Sequence, residues 1–343
     1  MYCVLCIENY ILMEKTFETK ILEPTANNIK LCAKHLKNSG VVAFATETVF
    51  GLGANIFDEI AVKKIFEIKN RPADNPLIVH IADISEINKL ALDISDDFYK
   101  LADYYMPGPL TVVLKKHPSV PDVVTAGQDT VAIRIPRCTA ALDLIKECGF
   151  PLCAPSANTS TRPSPTKAEH VYDDLNGKIP YILHSDIYIK YGIESTIVDL
   201  TTDTPKILRL GIASAEKISE LLDKDVIIAK NHTVATPGSK YRHYAPLVPL
   251  YYLPITNYKT KLDELYKAQN SIIFCNHEIA LQLGKYNLVD MGDVYDYARD
   301  LYAQLRIQEK NYSQIIAIGV EDQHSGRAVN NRLIKAAGTM HNS

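Results

Sequence analysis

Two short runs constrain this chain more than any other feature. PLIVHI (76–81) and TVAIRIP (130–136) are too short for helices and too apolar for loops, so both read as strands. Neighbouring side chains on a strand point to opposite faces. Leu77, Val79 and Ile81 therefore share a face, with Ile78 and His80 opposite. In the second run Val131, Ile133 and Ile135 share a face, with Thr130, Ala132 and Arg134 opposite. A sheet built from such strands has one greasy face and one that carries an isolated imidazole and guanidinium. A buried guanidinium is costly unless paired or solvated. The second face is therefore expected to line a polar cavity. An exposed face, or a structural pair for each group, is the alternative.

Apolar runs and amphipathic stretches alternate along the rest of the chain, which is the pattern of an α/β fold. Strands are expected at VVAFAT (41–46), GPLTVVLKK (108–116), PLCAPSAN (151–158, running into a polar loop), ESTIVDL (194–200) and KILRL (206–210). A helix fits 23–40, capped by Thr25 or Asn27 and stopped at Gly40, and another fits 58–69 behind Asp58. The segment 231–250 differs in kind. It holds Pro237, Gly238, Pro246 and Pro249 with Lys240, Arg242 and two histidines, and no period of 2 or 3.6 survives in it. Such a stretch reads as a linker. Beyond it, SIIFC (271–275), QIIAIGV (314–320) and helices near 259–268, 293–309 and 325–337 restart the α/β pattern. At 343 residues two domains are expected. The division is an extension at 1–12, a domain at 13–230, a linker at 231–249 and a smaller domain at 250–343.

A formal net charge of −3 gives no global field toward nucleic acid or membrane. No apolar run reaches the ~18–20 residues of a membrane span. The start lacks the basic and apolar blocks of a signal peptide, and Met13 is a second candidate start. Seven cysteines at irregular spacing fit reduced thiols in a cytoplasm. Cys3 and Cys6 form a lone C-x-x-C without a second pair.

The loops carry the chemistry. ETVFGLGAN (47–55) reads as a glycine loop after the first strand that allows close backbone approach. It fails as a dinucleotide fingerprint, because Ile56 stands where a third glycine is needed, and no Walker-type phosphate loop is present. PSANTSTRPSPT (155–166) is dense in hydroxyls and prolines, so Ser156, Asn158 and Ser164 could bond a phosphate or sugar. Lys69 and Arg71 end the second helix beside Pro72. Arg grips two oxygens in a fork and Lys supplies a point charge, which together suit a polyphosphate. A helix C-terminus also attracts cations through its dipole alone, and that reading covers Lys69 better than Arg71.

The ordered strings ATETVFGLGAN, KIFEIKNRPADNPLIVHI, PGPLTVVL, TVAIRIP, PLCAPSANTS, GIESTIVDL and ILRLG resemble the YrdC-like domain of threonylcarbamoyl-AMP synthases. TPGSKYRHYAPLVPL and the α/β stretch beyond it resemble the long form of that family, with a Rossmann-like second domain. The resemblance implies an α/β fold: a twisted mixed sheet with a concave polar face, then a smaller Rossmann-like domain. It implies that L-threonine, bicarbonate or CO2, and ATP give threonylcarbamoyl-adenylate and pyrophosphate. Mg²⁺ is expected with ATP, with no ligands assigned. The product would feed a separate tRNA threonylcarbamoyl-transferase complex. By the same resemblance Lys69 and Arg71 are catalytic candidates. Thr48, His80, Arg134, Ala154 and Ser195 fall on threonine positions. Arg71, Asn75, Thr130, Ser156, Asn158, Ser164 and Arg209 fall on ATP positions, with Tyr241 and His243 of the linker as nucleotide contacts. The linker is expected to fold over the nucleotide and exclude water. Ala45, Phe50 and Ser239 depart from the family's usual Pro, Tyr and Met, and none removes a polar ligand. Two rival readings are a double-stranded-RNA-binding module, through phosphates on a positive concave face, and a carbamoyltransferase-type adenylating enzyme.

Overall fold

The helix that delivers Lys69 and Arg71 shows how local sequence sets the site. In the computed structural model, which describes residues 17–185, 189–229 and 243–338, Asp58 caps the helix Glu59–Lys69 by accepting from the amides of Ile60 and Ala61 at 3.0 and 3.1 Å. Ala61, Val62, Ile65, Phe66 and Lys69 form its buried stripe. Asn70 ends it in the left-handed conformation, φ +50°, a usual helix stop. Lys69 therefore lies on the inward face, and Arg71 leaves in a new direction.

The larger sheet has twelve strands among the described residues. From edge to edge they are β1 (Lys20–Leu22), β9 (Tyr181–Leu183), β2 (Val42–Phe44), β3 (Gly51–Asn55), β8 (Leu152–Cys153), β4 (Ile78–His80), β7 (Thr130–Arg134), β6 (Leu110–Lys116), β10 (Thr196–Asp199), β11 (Lys206–Arg209) and β12 (Ile227–Ile228). β5 (Ala91–Leu92) pairs with β6. Parallel and antiparallel pairs both occur, so the sheet is mixed. The helices α1 (Ala26–Lys37), α2 (Glu59–Lys69), α3 (Asp96–Tyr105), α4 (Asp122–Thr125), α5 (Thr139–Cys148), α6 (Ala168–Leu175) and α7 (Ala215–Leu222) complete this domain. Leu77, Val79, Ile81, Val131, Ile133 and Ile135 all enter its main hydrophobic core, the face that alternation assigns to them. Ile78 joins a separate small cluster with Val113, Ile197 and Leu208 on the other face.

GLGAN is not the loop expected from its glycines. It forms β3, antiparallel to β2, with Val42 opposite Gly53 and Phe44 opposite Gly51. Glycine is needed here for room: a Cβ on Gly53 would stand 2.6 Å from the ring of Phe44, which is fully buried.

The second domain is a parallel sheet in the order β13 (Leu250–Leu253), β16 (Gln314–Ile318), β14 (Ser271–Cys275), β15 (Leu288–Asp290). It is flanked by α8 (Lys259–Ala268), α9 (His277–Gln282), α10 (Val294–Gln308) and α11 (Gly326–Ala337). Its core is continuous with the first domain: Val49 and Ile193 pack in one cluster with Tyr244, Leu250, Tyr297 and Tyr302. Gly192, at φ +67°, permits the approach, since a Cβ there would meet the carbonyl oxygen of Arg299 at 2.1 Å. Among the described residues no helix is long and apolar enough to cross a membrane. The described free cysteines, Cys32, Cys138, Cys148, Cys153 and Cys275, are all buried, and Cys3 and Cys6 lie outside the described residues.

Candidate active site

β4 and β7 run parallel in a register that sets His80 directly beside Arg134. Both are buried, at 4% exposure. They open onto a cleft lined also by Thr46, Phe50, Arg71, Ile78, Ala154, Ser156, Glu194, Arg209, His243 and Tyr244. Three guanidiniums thus share one concavity.

Arg134 donates from Nε to the carbonyl of Gly108 at 3.2 Å, and its Nη2 lies 2.8 Å from Glu47 Oε1. That ion pair is close but misaligned. Neither Glu47 oxygen nor Arg134 Nη2 completes a hydrogen bond, although all three atoms are buried. The charges attract without being saturated, so a carboxylate entering the cleft finds a donor ready. Glu47 is aimed by the turn around it: Thr46 Oγ1 donates to the carbonyl of Val49 at 2.6 Å and lies 2.9 Å from Thr48 Oγ1.

His80 Nδ1 lies 3.1 Å from the carbonyl of Ile78. Burial, reinforced by the Arg134 charge, pushes its pKa down to about 3. The ring is therefore neutral near pH 7. His243, whose buried Nε2 lacks a hydrogen-bond partner, is likewise pushed down to about 4, by burial first and then by Arg71. Arg71 is held lightly, by bonds of 3.3 Å from Nη2 to the carbonyls of Asn75 and Pro76, while its buried Nε has no partner. Arg209 is anchored by Nε to the carbonyl and by Nη2 to the hydroxyl of Ser195, both at 3.0 Å. Burial lowers the pKa of Arg71 and of Arg209 to about 10, so both stay charged at neutral pH.

Of the sequence-derived candidates, Arg71, His80, Arg134, Ala154, Ser156, Arg209 and His243 line the cleft. Others stand behind its wall. Lys69 does not line the cleft: the residue is 2% exposed, and its ammonium donates to the backbone carbonyls of Ser156 and Asn158. The buried stripe of α2 dictates this, and burial pushes the Lys69 pKa well below its ordinary value. The residue read as a phosphate ligand is, in this geometry, a tether for the hydroxyl-rich loop. Asn158 bonds the carbonyls of Thr159 and Arg162 at 2.9 and 3.0 Å, within the same loop. Ser164 donates to Glu194 Oε1 at 2.6 Å. Ser195 bonds Thr111 at 2.8 Å as well as Arg209, and Thr48 is buried beneath Thr46. Asn75 is buried with Oδ1 unpartnered. Thr130 sits four residues along β7 from Arg134, bonded to Gln128 at 3.4 Å and outside the lining. Four residues of strand span about 13 Å. Tyr241 lies outside the described residues.

Sequence reasoning missed Thr46, Glu47, Glu194 and Tyr244. A signal existed for both carboxylates, since each sits among residues that belong inside. An acid there needs a buried cation, but the sequence does not say which one. Tyr244 stacks on Tyr302 with ring centroids 5.3 Å apart, and its backbone is held in the left-handed region at φ +65°.

Comparison with known proteins agrees with this geometry. The Sua5/YciO/YrdC family model, described as telomere recombination, matches residues 34–211. The model described as the threonylcarbamoyl-AMP synthase C-terminal domain matches residues 213–338. A threonylcarbamoyl-AMP synthase of Pyrococcus abyssi is 41% identical over 90% of this chain and 94% of its own length. One of Bacillus subtilis is 40% identical over 90% of this chain and 93% of its own length. The crystal structure of P. abyssi Sua5 complexed with L-threonine superposes with a TM-score of 0.85 at 39% identity, covering 94% of this chain and 99% of that one. With both domain models matched in order and relatives about 40% identical over 90% of its length, this chain belongs to the threonylcarbamoyl-AMP synthase family.

Proposed function

We propose that this chain makes threonylcarbamoyl-adenylate from L-threonine, bicarbonate or CO2, and ATP. The observation that carries the reading is the gathering of Arg71, Arg134 and Arg209 with a neutral His80 in one cleft, where donor atoms of Arg71 and Arg134 are buried and unpartnered. Threonine's carboxylate would bind Arg134, completing the bonds that Glu47 leaves unmade. Arg71 and Arg209 would bind the triphosphate, with Ser156 at the loop edge. Lys69 acts one step back, by fixing the carbonyls of that loop.

The chemistry follows from those placements. Threonine's uncharged amine adds to the carbon of CO2 and releases a proton. A carbamate oxygen then bonds the α-phosphorus as the bond to the pyrophosphate oxygen breaks. Such a transfer needs alignment and charge stabilisation more than a protein nucleophile. Guanidiniums already gathered in the cleft supply the stabilisation. His80, with a pKa near 3, is too weak a base to take the amine's proton at neutral pH. Bicarbonate or a phosphate oxygen is left for that task. Glu194 at the cleft and Glu47 buried beside Arg134 each already face a guanidinium. No cluster of three acidic, histidine or cysteine ligands occurs among the described residues, so magnesium would enter as the counter-ion of ATP. His243 and Tyr244 line the cleft from the linker side, which supports a share for that segment in keeping water from the adenylate.

Three guanidiniums inside a cleft suit a small triphosphate better than the outer phosphates of an RNA duplex. The product would pass to a separate tRNA-modifying transferase in the cytoplasm, where buried free thiols persist. The test is pyrophosphate release by the purified chain, with threonine and bicarbonate withheld in turn. Release only when all three substrates are present is expected. Release without threonine would overturn the reading.

A further inference from the structure

Glu194 lines the cleft, yet its carboxylate is held mainly from the second domain. Arg332 Nε of α11 donates to Oε2 at 2.9 Å, and Tyr302 Oη of α10 donates to the same oxygen at 3.0 Å. Ser164 takes the other oxygen. Arg332 and Tyr302 are fully buried, and Glu194 is 7% exposed. Arg332 Nη2 also donates to the carbonyl of Leu210 at 2.8 Å, beside Arg209, and its guanidinium lies 5.2 Å over the ring of Tyr244. Arg209 in turn rests on Ser195, the residue next to Glu194. Arg209 already feels the Glu194 charge, although none of the carboxylate's bonds to Ser164, Tyr302 and Arg332 reaches it, and a carboxylate released at this place could close on it. Paired with it, Arg209 would lose much of its attraction for a phosphate.

We propose that Arg332 and Tyr302 are positioning residues of the second domain that keep the Glu194 carboxylate from bonding Arg209 directly, leaving donor capacity on that guanidinium for ATP. The second domain is then part of the nucleotide site without touching the nucleotide. This rests on the reading of the cleft as the ATP site. Loss of Arg332 then weakens ATP binding more than threonine binding. The damage comes from the stranded carboxylate, so neutralising Glu194 as well repairs it. Tyr302 shares the role in smaller measure.

The experiment measures ATP and threonine affinities by calorimetry and by KM on the full chain, for wild type, Arg332→Met, Glu194→Gln/Arg332→Met and Tyr302→Phe, with the thermal midpoint of each. Arg332→Met is expected to weaken ATP at least tenfold and threonine less than threefold. The double variant, in which a buried ion pair becomes two neutral groups, is expected to fold and to bind ATP within threefold of wild type. Tyr302→Phe is expected to weaken ATP about threefold, with threonine unmoved. The proposal is overturned by unchanged ATP affinity in folded Arg332→Met, or by a double variant that regains stability but not ATP binding. Should Arg332→Met fail to fold, unchanged ATP affinity in Tyr302→Phe, or a folded double variant that binds ATP poorly, overturns it equally. A wild-type chain that releases no pyrophosphate would instead sink the reading of the cleft, a result distinguishable from these.

Discussion

The cleft and the domain interface use the same residue types in opposite ways. At the interface, Arg306 gives two bonds to the carbonyl of Pro163, at 3.2 and 2.6 Å, and two to Asp174, at 3.0 and 2.8 Å. Arg162 grips Glu309 with both terminal nitrogens. In the cleft, Arg134 stands as near its acid as Arg306 does, but neither Glu47 oxygen is bonded. A saturated pair fixes two domains at the cost of desolvating both charges. An unsaturated pair has capacity left for a ligand. Hydrogen-bond completeness, more than the presence of buried charge, separates scaffold from site here.

Mutations test that contrast from its strongest side downward. Arg306→Ala strands the buried carboxylate of Asp174 and frees the hydroxyl-rich loop from α10. It should destabilise by about 3–5 kcal/mol, read from denaturant midpoints. Lys69→Met should cost about 1–3 kcal/mol of stability, because two buried carbonyls lose their donor, and should lower turnover as well. A fall in turnover with an unmoved midpoint would return Lys69 to the phosphates. Arg71→Ala should behave in the opposite way. Turnover should fall more than tenfold, about 1.4 kcal/mol in barrier, with a shift in thermal midpoint too small to account for it.

The buried imidazole gives a weaker, pH-dependent signature. His80 has a folded pKa near 3, below its unfolded value of about 6.5. The unfolded state therefore binds the proton first, and stability present above about pH 6.5 is lost as the pH falls toward 3. The slope from this one group is at most about 1.4 kcal/mol per pH unit. His80→Gln should flatten that part of the stability profile, measured by denaturation between pH 4 and 7. At the interface rim, Arg327 and Glu216 pair at 2.6 Å while more than 30% exposed, so Arg327→Ala should cost under about 1 kcal/mol. A larger loss would erase the distinction between centre and rim.

Much of this was legible in advance where a local rule sufficed. Alternation in PLIVHI and TVAIRIP assigned His80 and Arg134 to the face opposite the core. Asp58 announced the start of α2, and the spacing Val62, Ile65, Phe66, Lys69 already contained the burial of Lys69. Charge alone hid that last point: a cation at a helix end looks exposed until its face is counted. GLGAN misled for a related reason. Glycine marks freedom in a loop and clearance in a sheet, and only the ring of Phe44 tells the two apart.

The sequence by itself determined the face on which residues of PLIVHI and TVAIRIP lie and where α2 begins, because those follow from covalent geometry over a few residues. Tertiary structure alone decided that His80 pairs in register with Arg134, that Glu47 leaves its bonds unmade, and that Glu194 meets Arg332 across 138 positions of chain. A buried charge states that it needs a partner. Which partner it meets depends on how two domains close on each other, and no local pattern carries that information.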